Sequence, residues 1–550
     1  LGKKVYLDNL PRQETLANYL SQLEQAGVRP LLPERLAVEQ ALGRTVARAI
    51  RAQLANPHYP ASAMDGYAVR AETTFGASET KPARLLVGSE AVYVDTGDVI
   101  PAGYDAVVMI EQATPRGEYV EINGAAAPWQ HIRLVGEDIA AGEVLAWPGD
   151  RITPYLAAAL LAANVTEVEV RARPRVAVFP TGTELVEPGS KVKPGDILEF
   201  NSRLLAGLIE EWDAVAERQP ALPDDYELLK ARVAEAAANY DLVVINAGSS
   251  AGSEDFTARV IAELGTLVSH GVAIKPGKPV ILGEVQGKPV IGLPGYPVSA
   301  ALTCELFVKP VLELLRGGQL PGRATARARL VRKVVSPLGQ EEFVRVKLLA
   351  QEAELVAVPL GRGAGAISSL VQADGLLVVP RLSEGFEAGT EVEVQLFRPL
   401  AEIQEQWWFG GTYWQPFEEK LLELAQQGQK VGYYPTGSQA GFLALSRGEV
   451  HGTLWAGEQP PAAFPARLLG KRLMGWAYRE SEPGPEPGRE ESHLLKGAAA
   501  VMAGLWPRAW CSQEVAELYQ LQFKPVQEEQ VWLLVRPEKA FLLDRWEGGT

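Results

Sequence analysis

The sequence predicts a multidomain α/β protein. A doubly wound parallel sheet is flanked by two small β-domains and a helical domain, and a further α/β unit lies at the C-terminal end. Three observations carry this. Between residues 174 and 316, strand-like and helix-like runs alternate at the spacing of βαβ units. On either side, at 45–136 and 323–398, short apolar runs are broken by Gly, Pro, Asp and Asn. Beyond residue 400 the composition shifts: nine of the twelve tryptophans fall there, which marks a separate unit. A length of 550 residues fits several domains, since single domains hold roughly 100–200 residues.

Taken in order, RQETLANYLSQLEQAG (12–27) places Leu16, Tyr19, Leu20 and Leu23 on one helical stripe ended by Gly27. The runs ARLLVG, AVYVD and DAVVMIE then read as strands. TPYLAAALLAA (153–163) returns to a helix, and if it packs on the first helix, the β-domain is an insertion. The expected domains are 1–44 with 137–173 (helical), 45–136 (inserted β), 174–318 (α/β), 319–400 (small β) and 401–550. Within the α/β domain RVAVF, DLVVIN and KPVIGL are strands. NSRLLAGLIEEW is a helix with Leu204, Leu205, Leu208 and Trp212 on one face, FTARVIAEL is a helix, and a long helix starts at Val298. The small β-domain holds ARARLVRKVV, EFVRVKLL, GLLVVP and TEVEVQLF. In the tail a helix ending at Gly428, the strand KVGYY, the helix QAGFLALSRG and the strand EVHGTLW precede a Pro/Gly/acidic loop, SEPGPEPGREES (481–492). Its tryptophans fit either a core or a docking face.

Composition excludes several classes. A net charge of −15 argues against nonspecific binding to nucleic acid or anionic lipid. Cys304 and Cys511 are isolated, so neither a disulfide framework nor a cysteine zinc site is expected, and a reducing cytoplasm fits. The five histidines show no metal-binding spacing. The apolar run 155–163 is too short to cross a bilayer, and no apolar targeting segment follows the basic residues near the start.

The chemistry concentrates at strand ends. RVAVF leads into PTGTEL, DLVVIN into AGSSAGSEDF, and KPVIGL into LPGYPVSA, so three strand ends carry Gly with Ser or Thr before a helix. Small residues let a ligand approach the backbone, while amides and hydroxyls bind anionic oxygens. Any one of these turns also reads as ordinary loop chemistry. AIKPGKPVILG adds Lys275 and Lys278 on a rigid Pro276-Gly277 link, suited to a multiply charged anion, or else to a surface turn. Asp255, Asp224, Asp225 and Asp138 are candidate Mg²⁺ carboxylates, and each also reads as a helix cap or turn former. Asp65, in SAMDGYAV, occupies a tight turn in an apolar run.

At these residues a family resemblance emerges. SAMDGYAV, YVDTGDVIPAGYDAVVMIE, VGEDIAAGE, FPTGTEL, GSEDFT, AIKPGKP and LPGYPVSA occur in the order found in molybdopterin molybdotransferases of the MoeA and gephyrin E-domain type. The resemblance spans residues 5 to 398. It implies a helical domain, an inserted β-domain, an α/β molybdopterin-binding domain and a small β-domain. It also implies a cytoplasmic homodimer whose cleft lies between the α/β domain of one subunit and the β-domain of the other. The implied reaction takes adenylylated molybdopterin and molybdate or tungstate, releases AMP and requires Mg²⁺; a molybdopterin adenylyltransferase is the implied partner enzyme.

On that pattern Asp65, Thr96 and Asp138 come from the partner side. Thr181, Gly182, Gly248, Ser249, Ser250, Ser253 and Asp255 line the nucleotide and metal side, with Asp224 and Asp225 beside the metal. Lys275, Pro276, Gly277, Lys278, Gly295, Tyr296, Ser299, Arg345, Ser368 and Ser369 hold the cofactor and its oxyanions. Asp65, Asp138, Asp255, Lys275 and Lys278 are the expected catalytic groups.

Two departures stand out. Tyr296 replaces the Asn of LPGNPVS, and Ala247-Gly248-Ser249-Ser250-Ala251-Gly252 replaces the usual Gly-Gly-Val-Ser loop. Both resemble the subfamily fused to a periplasmic-binding-protein-like domain. In the tail, GSQAGFLALSRGEVHGTLW resembles a first lobe and FKPVQEEQVWLLV a closing segment, so the tail is expected to be a truncated, single-lobe binding domain. Two other readings remain at this point: a non-catalytic oxyanion or cofactor sensor, and a nucleotide pyrophosphatase on the same fold.

Overall fold

The computed structural model describes residues 10–247, 256–351, 354–478, 494–502 and 508–544. Its centre is a six-stranded sheet ordered 215–218, 175–181, 242–247, 288–294, 281–285 and 265–270. The first four strands are parallel. The last two are antiparallel to their neighbours, so the sheet is mixed rather than wholly parallel. The cause is local. Ile281–Val285 and Lys288–Pro294 are joined through Gln286 (φ 54°) and Gly287 (φ 72°), the two positive-φ positions of a hairpin turn that leaves no room for a crossover helix.

Val176, Val178, Val244 and Leu293 face one side of the sheet, under the helices Asn201–Glu211 and Lys309–Arg316. Phe179, Val243, Ile245 and Val290 face the other, under Tyr226–Asn239 and Phe256–Leu264. Strands covered on both faces need near-continuous Val/Ile/Leu runs, which these have. Of the expected face of Leu204, Leu205, Leu208 and Trp212, Leu205 is buried and Leu208 and Trp212 pack partly buried on the core, while Ser202, Ala206 and Ile209 complete the buried stripe. Leu204 and Leu208 also line a cavity of about 270 Å³ against the small β-domain.

The N-terminal helix Arg12–Gln25 packs on this same sheet, with Tyr19 and Leu23 buried and the Tyr19 hydroxyl donating to the Gly283 carbonyl at 2.9 Å. It does not join the helix Pro154–Ala162, whose apolar side packs with Val38, Ala41, Val46, Val165 and Val168. That body is held by two antiparallel ladders, 34–37 with 167–170 and 50–51 with 144–146, so only one helix serves a region expected to be helical. The chain between those ladders forms two three-stranded sheets. Gly66 is required in one of them, because a Cβ there would lie 2.0 Å from the Val108 carbonyl oxygen.

In the small β-domain the strand Glu341–Gln351 pairs with both Glu354–Pro359 and Gly375–Val379, which closes the sheet on itself and removes its edges. The two-residue strand Ile274–Lys275 leaves the α/β domain and pairs in parallel with Glu341 and Glu342.

The tail folds as one sheet ordered 431–433, 407–411, 452–456, 522–535, 466–478 and 508–512. Its two long strands carry two apolar clusters. One surrounds Phe409, Phe417, Leu421 and Leu533; the other surrounds Tyr413, Met474, Ala498 and Val515. Residues on both sides of the acidic loop thus share a second apolar cluster on the same sheet.

The tail is docked on the small β-domain through buried polar contacts. Lys347 pairs with Asp374 at 3.0 Å, bonds Gln406, and lies 4.2 Å from the Trp408 ring centroid. Gln351 donates to the Gly448 carbonyl at 2.5 Å, and His451 Nε2 lies 3.3 Å from the Ala350 carbonyl. Trp408 therefore serves the seam and Trp414 a core cluster, so both readings of the tryptophans hold. Among the described residues no helix is long and apolar enough to cross a membrane.

Candidate functional site

The carboxyl ends of Arg175–Thr181, Leu242–Ala247 and Lys288–Pro294 open into a cavity of about 350 Å³. Thr181, Asn201, Asn246, Gly295, Tyr296 and Gly365 are among its lining residues. Its floor is an amide network. Asn246 is buried and donates to the Pro294 carbonyl at 2.8 Å, while its Oδ1 accepts from Asn201 Nδ2 at 3.1 Å. Asn201 Nδ2 also donates to the Gly295 carbonyl at 2.6 Å, leaving the buried Asn201 Oδ1 without a donor. An unmet acceptor of this kind is unfavourable unless a ligand N–H or O–H reaches it. The sequence reading missed both asparagines. Asn246 was detectable as the polar end of an otherwise apolar strand.

Thr181 is buried at the strand end, its hydroxyl donating to the Asn246 carbonyl at 3.3 Å. Gly182 has φ +145°, and a Cβ there would lie 2.9 Å from Glu184 Oε1. Gly248, Ser249, Ser250, Ser253 and Asp255 lie outside the described residues. Asp224 and Asp225 are turned to local duties. Asp225 Oδ1 caps the helix Tyr226–Asn239 by accepting from Leu228 N at 2.9 Å, and Asp224 Oδ2 accepts from the Thr183 hydroxyl at 3.3 Å. These are capping and loop-bracing contacts within their own loop and helix. Among the described residues no three His, Cys, Asp or Glu side chains group as a metal site.

The Lys275–Lys278 loop lies outside the lining of this cavity. Lys275 Nζ lies 3.2 Å from Glu342 Oε1, a carboxylate only 3% exposed and also approached by Arg362 at 3.4 Å. The short parallel pairing of Ile274–Lys275 with Glu341–Glu342 creates this contact. Glu342 was not singled out, although a carboxylate opening a buried strand was its signal. Gly277 is required, since at φ +103° a Cβ would meet Thr303 Cγ2 at 2.5 Å. Lys278 is half-buried on the same loop. Pro276 lines the neighbouring 270 Å³ cavity rather than this one. Ser299 is buried on the first turn of Pro297–Thr303.

Tyr296 is 60% exposed and borders the cavity; a Cβ on Gly365 would lie 3.4 Å from its ring. The loop bearing Gly365 is braced by Arg345, whose Nη2 donates to the Gly361 carbonyl at 2.6 Å and the Gly363 carbonyl at 3.2 Å. Arg345 is buried, and these bonds position the loop. The Ser369 hydroxyl is likewise spent on the Ala366 carbonyl at 2.5 Å, whereas Ser368 is exposed.

Asp65, Thr96 and Asp138 are bonded within their own region of the chain. Asp65 Oδ1 accepts from Thr96 N at 2.7 Å, and that amide and the Thr96 hydroxyl hold the exposed carboxyl below its ordinary pKa. Asp138 Oδ2 accepts from Asn56 Nδ2 at 3.0 Å.

Comparison with known proteins follows the same partition. Residues 10–164 match the MoeA N-terminal region (domains I and II), 177–314 a probable molybdopterin binding domain, and 327–397 the MoeA C-terminal region (domain IV). Molybdopterin molybdenumtransferase 2 of Mycobacterium tuberculosis is 32% identical over 388 residues, covering 67% of this chain and 96% of that protein. The chain belongs to the MoeA family. The molybdopterin molybdenumtransferase of Bacillus subtilis is 31% identical over 386 residues, covering 66% of this chain and 90% of its own length. A MoeA crystal structure from Pyrococcus horikoshii superposes with a TM-score of 0.62 at 36% identity, spanning 71% of this chain and all of that one. The MoeA matches stop before the tail, at residue 397.

Proposed function

We propose that the MoeA portion of this chain is a molybdopterin molybdenumtransferase of molybdenum cofactor biosynthesis, taking adenylylated molybdopterin and an oxyanion and releasing AMP. The observation that carries the reading is the cleft at three strand ends. Its amide floor carries an unmet acceptor on Asn201, and outside its lining a cation, Lys275, is held by the buried carboxylate of Glu342. The amides suit the hydrogen-bonding edge of a pterin, and Lys275 and Lys278 suit phosphate and oxyanion charge. The protein's contribution is orientation and fixed electrostatics. Glu342 keeps Lys275 in place before substrate arrives, so little reorganisation accompanies binding.

Among the described residues no three His, Cys, Asp or Glu side chains group as a metal site, and Asp224 and Asp225 bond their own loop and helix. Asp255 remains the sequence-derived Mg²⁺ candidate.

The described bonds of Asp65 and Asp138 run to Thr96 and Asn56 in their own part of the chain, and on the family pattern Asp65, Thr96 and Asp138 complete the cleft of a second subunit in a homodimer. The tail is proposed to be a periplasmic-binding-protein-like domain that no longer takes a ligand. The loops after its parallel strands bond one another: Thr436 and Gly437 amides donate to the Gly411 carbonyl, and the Ala456 amide donates to Ser438 Oγ. A cytoplasmic location beside a molybdopterin adenylyltransferase follows from the same reading.

The test is complementation of a bacterium lacking its own molybdopterin molybdenumtransferase, read as restored activity of a molybdenum enzyme such as nitrate reductase. The full chain is expected to restore it and Lys275→Met to fail. No restoration by a well-expressed, folded full chain would overturn the proposal.

A further inference from the structure

Away from the cleft, a cavity of about 370 Å³ lies on the seam between the tail and the small β-domain. Its tail wall is one flank of the helix Ser438–Arg447. Gly441 and Leu445 turn to the tail's own sheet and core; a Cβ on Gly441 would lie 2.4 Å from Gly411 Cα. Ala440, Leu443, Ala444 and Arg447, spaced i, i+3, i+4 and i+7, form the stripe that lines the cavity. Val358, Pro359 and Leu360 of the small β-domain line it from the other side. The bonds of Gln351 to Gly448 and of His451 to Ala350 fix the end of this helix on the small β-domain, and the two alanines leave the gap beside them unfilled. The loops at the tail's strand ends bond one another, but this cavity draws much of its wall from the small β-domain, so it is not the site of an isolated binding lobe.

Three charged side chains line the cavity, Arg332, Arg447 and Glu449. Arg332 is spent: its Nε lies 2.9 Å from Glu449 Oε1, and its Nη2 donates to the Pro359 carbonyl at 2.7 Å. Arg447 is not. It is exposed, and its ion contact among the described residues is to that same Glu449 oxygen at 3.9 Å, too long for a hydrogen bond. One positive charge and one guanidinium fork are therefore left over. The rest of the wall is largely apolar, with Leu443 half-exposed and the rings of Trp408 and Tyr434 beside it. An apolar enclosure of this size with a few placed polar groups is the usual make-up of a small-molecule site.

We infer that this cavity binds an aromatic monocarboxylate, with the carboxylate on the Arg447 guanidinium and the ring against the apolar wall. A single negative charge matches the surplus, and the guanidinium fork suits two carboxylate oxygens. A ligand so placed touches both the tail and the small β-domain.

The probe is cinnamate, titrated calorimetrically into the full chain, with cinnamyl alcohol as its uncharged counterpart. Saturable cinnamate binding is expected. It should be weaker by about ten-fold or more for the alcohol, and for cinnamate in Arg447→Gln, the equivalent of one lost charged contact. Leu443→Glu is the second variant. It changes an exposed helix position and sets a carboxylate four residues before Arg447, where it pairs that guanidinium and repels the ligand, so binding should fall at least as far. Neither residue lines the cleft, so binding there would not respond to these changes. The inference is overturned by no saturable cinnamate binding, by cinnamyl alcohol binding as tightly, or by an affinity unchanged in either folded variant.

Discussion

Arg345 Nη2 lies 2.6 Å from the carbonyl oxygen of Gly361, and the loop it braces continues to Gly365, which sits against the Tyr296 ring. Arg345 thus shapes the wall beside Tyr296. Arg345→Lys should keep the fold while destabilising it by about 1–3 kcal/mol, because one ammonium cannot serve both loop carbonyls. KM for the pterin nucleotide should rise more than kcat falls, and amide exchange at 361–367 should accelerate. A large fall in kcat with unchanged KM would show that Arg345 acts on the reacting atoms.

His451 lies in the seam between tail and small β-domain, with Nδ1 accepting from Trp408 N at 2.9 Å. Burial, and then the nearby Lys539, pull its pKa down to about 4 from an unfolded value of 6.5. The neutral form therefore belongs to the folded state. Its contribution is fully present above pH 6.5 and is lost as pH falls through 4, amounting to something on the order of 3 kcal/mol. Stability measured by denaturant between pH 7 and 4.5 should decline less in His451→Phe than in the parent. Parallel pH profiles would remove His451 from the seam's energetics.

Ending the chain after Pro399 strips the cover from Lys347 and Gln351 but removes no residue lining the cleft. Turnover should persist within about two-fold, with a lower thermal midpoint, since small-β-domain contacts now meet water. Abolished turnover in a folded, dimeric truncation would assign the tail a direct part in the chemistry.

If Asp65 serves the neighbouring subunit, Asp65→Ala and Lys275→Ala should each be inactive alone. Mixed in equal amounts and allowed to exchange subunits, they should recover about a quarter of the parent rate, because half the dimers then carry one intact cleft. No recovery after proven exchange would place Asp65 and Lys275 in the same subunit's site.

Much of this architecture was legible because the signals were local. Val176–Phe179 and Leu242–Ile245 are apolar runs long enough to fix buried strands, and the glycines at their ends mark the cleft edge. What escaped depends on distant partners. The hairpin at Gln286-Gly287 was hidden because its second strand continues into a motif that also fits a crossover. The N-terminal helix has one apolar stripe, but the stripe does not say which surface it will cover. Asp225, Arg345 and Ser369 have the chemistry of binding residues, and only the fold shows their groups bonded to a cap position and to loop carbonyls. Glu342 and Asn201 gain their meaning from Lys275 and Asn246, far away in sequence.

The molybdenumtransferase reading is tested at the cleft floored by Asn246 and at Lys275 beyond its lining. The most direct measurement incubates the purified full chain with adenylylated molybdopterin, a divalent cation and molybdate, and follows AMP together with metallated pterin. The account predicts stoichiometric appearance of both, reduced about 10²–10³-fold by Lys275→Met, the range for removing one fixed charge-stabilising donor. AMP release without metallated pterin, or undiminished transfer by a folded Lys275→Met chain, would contradict it.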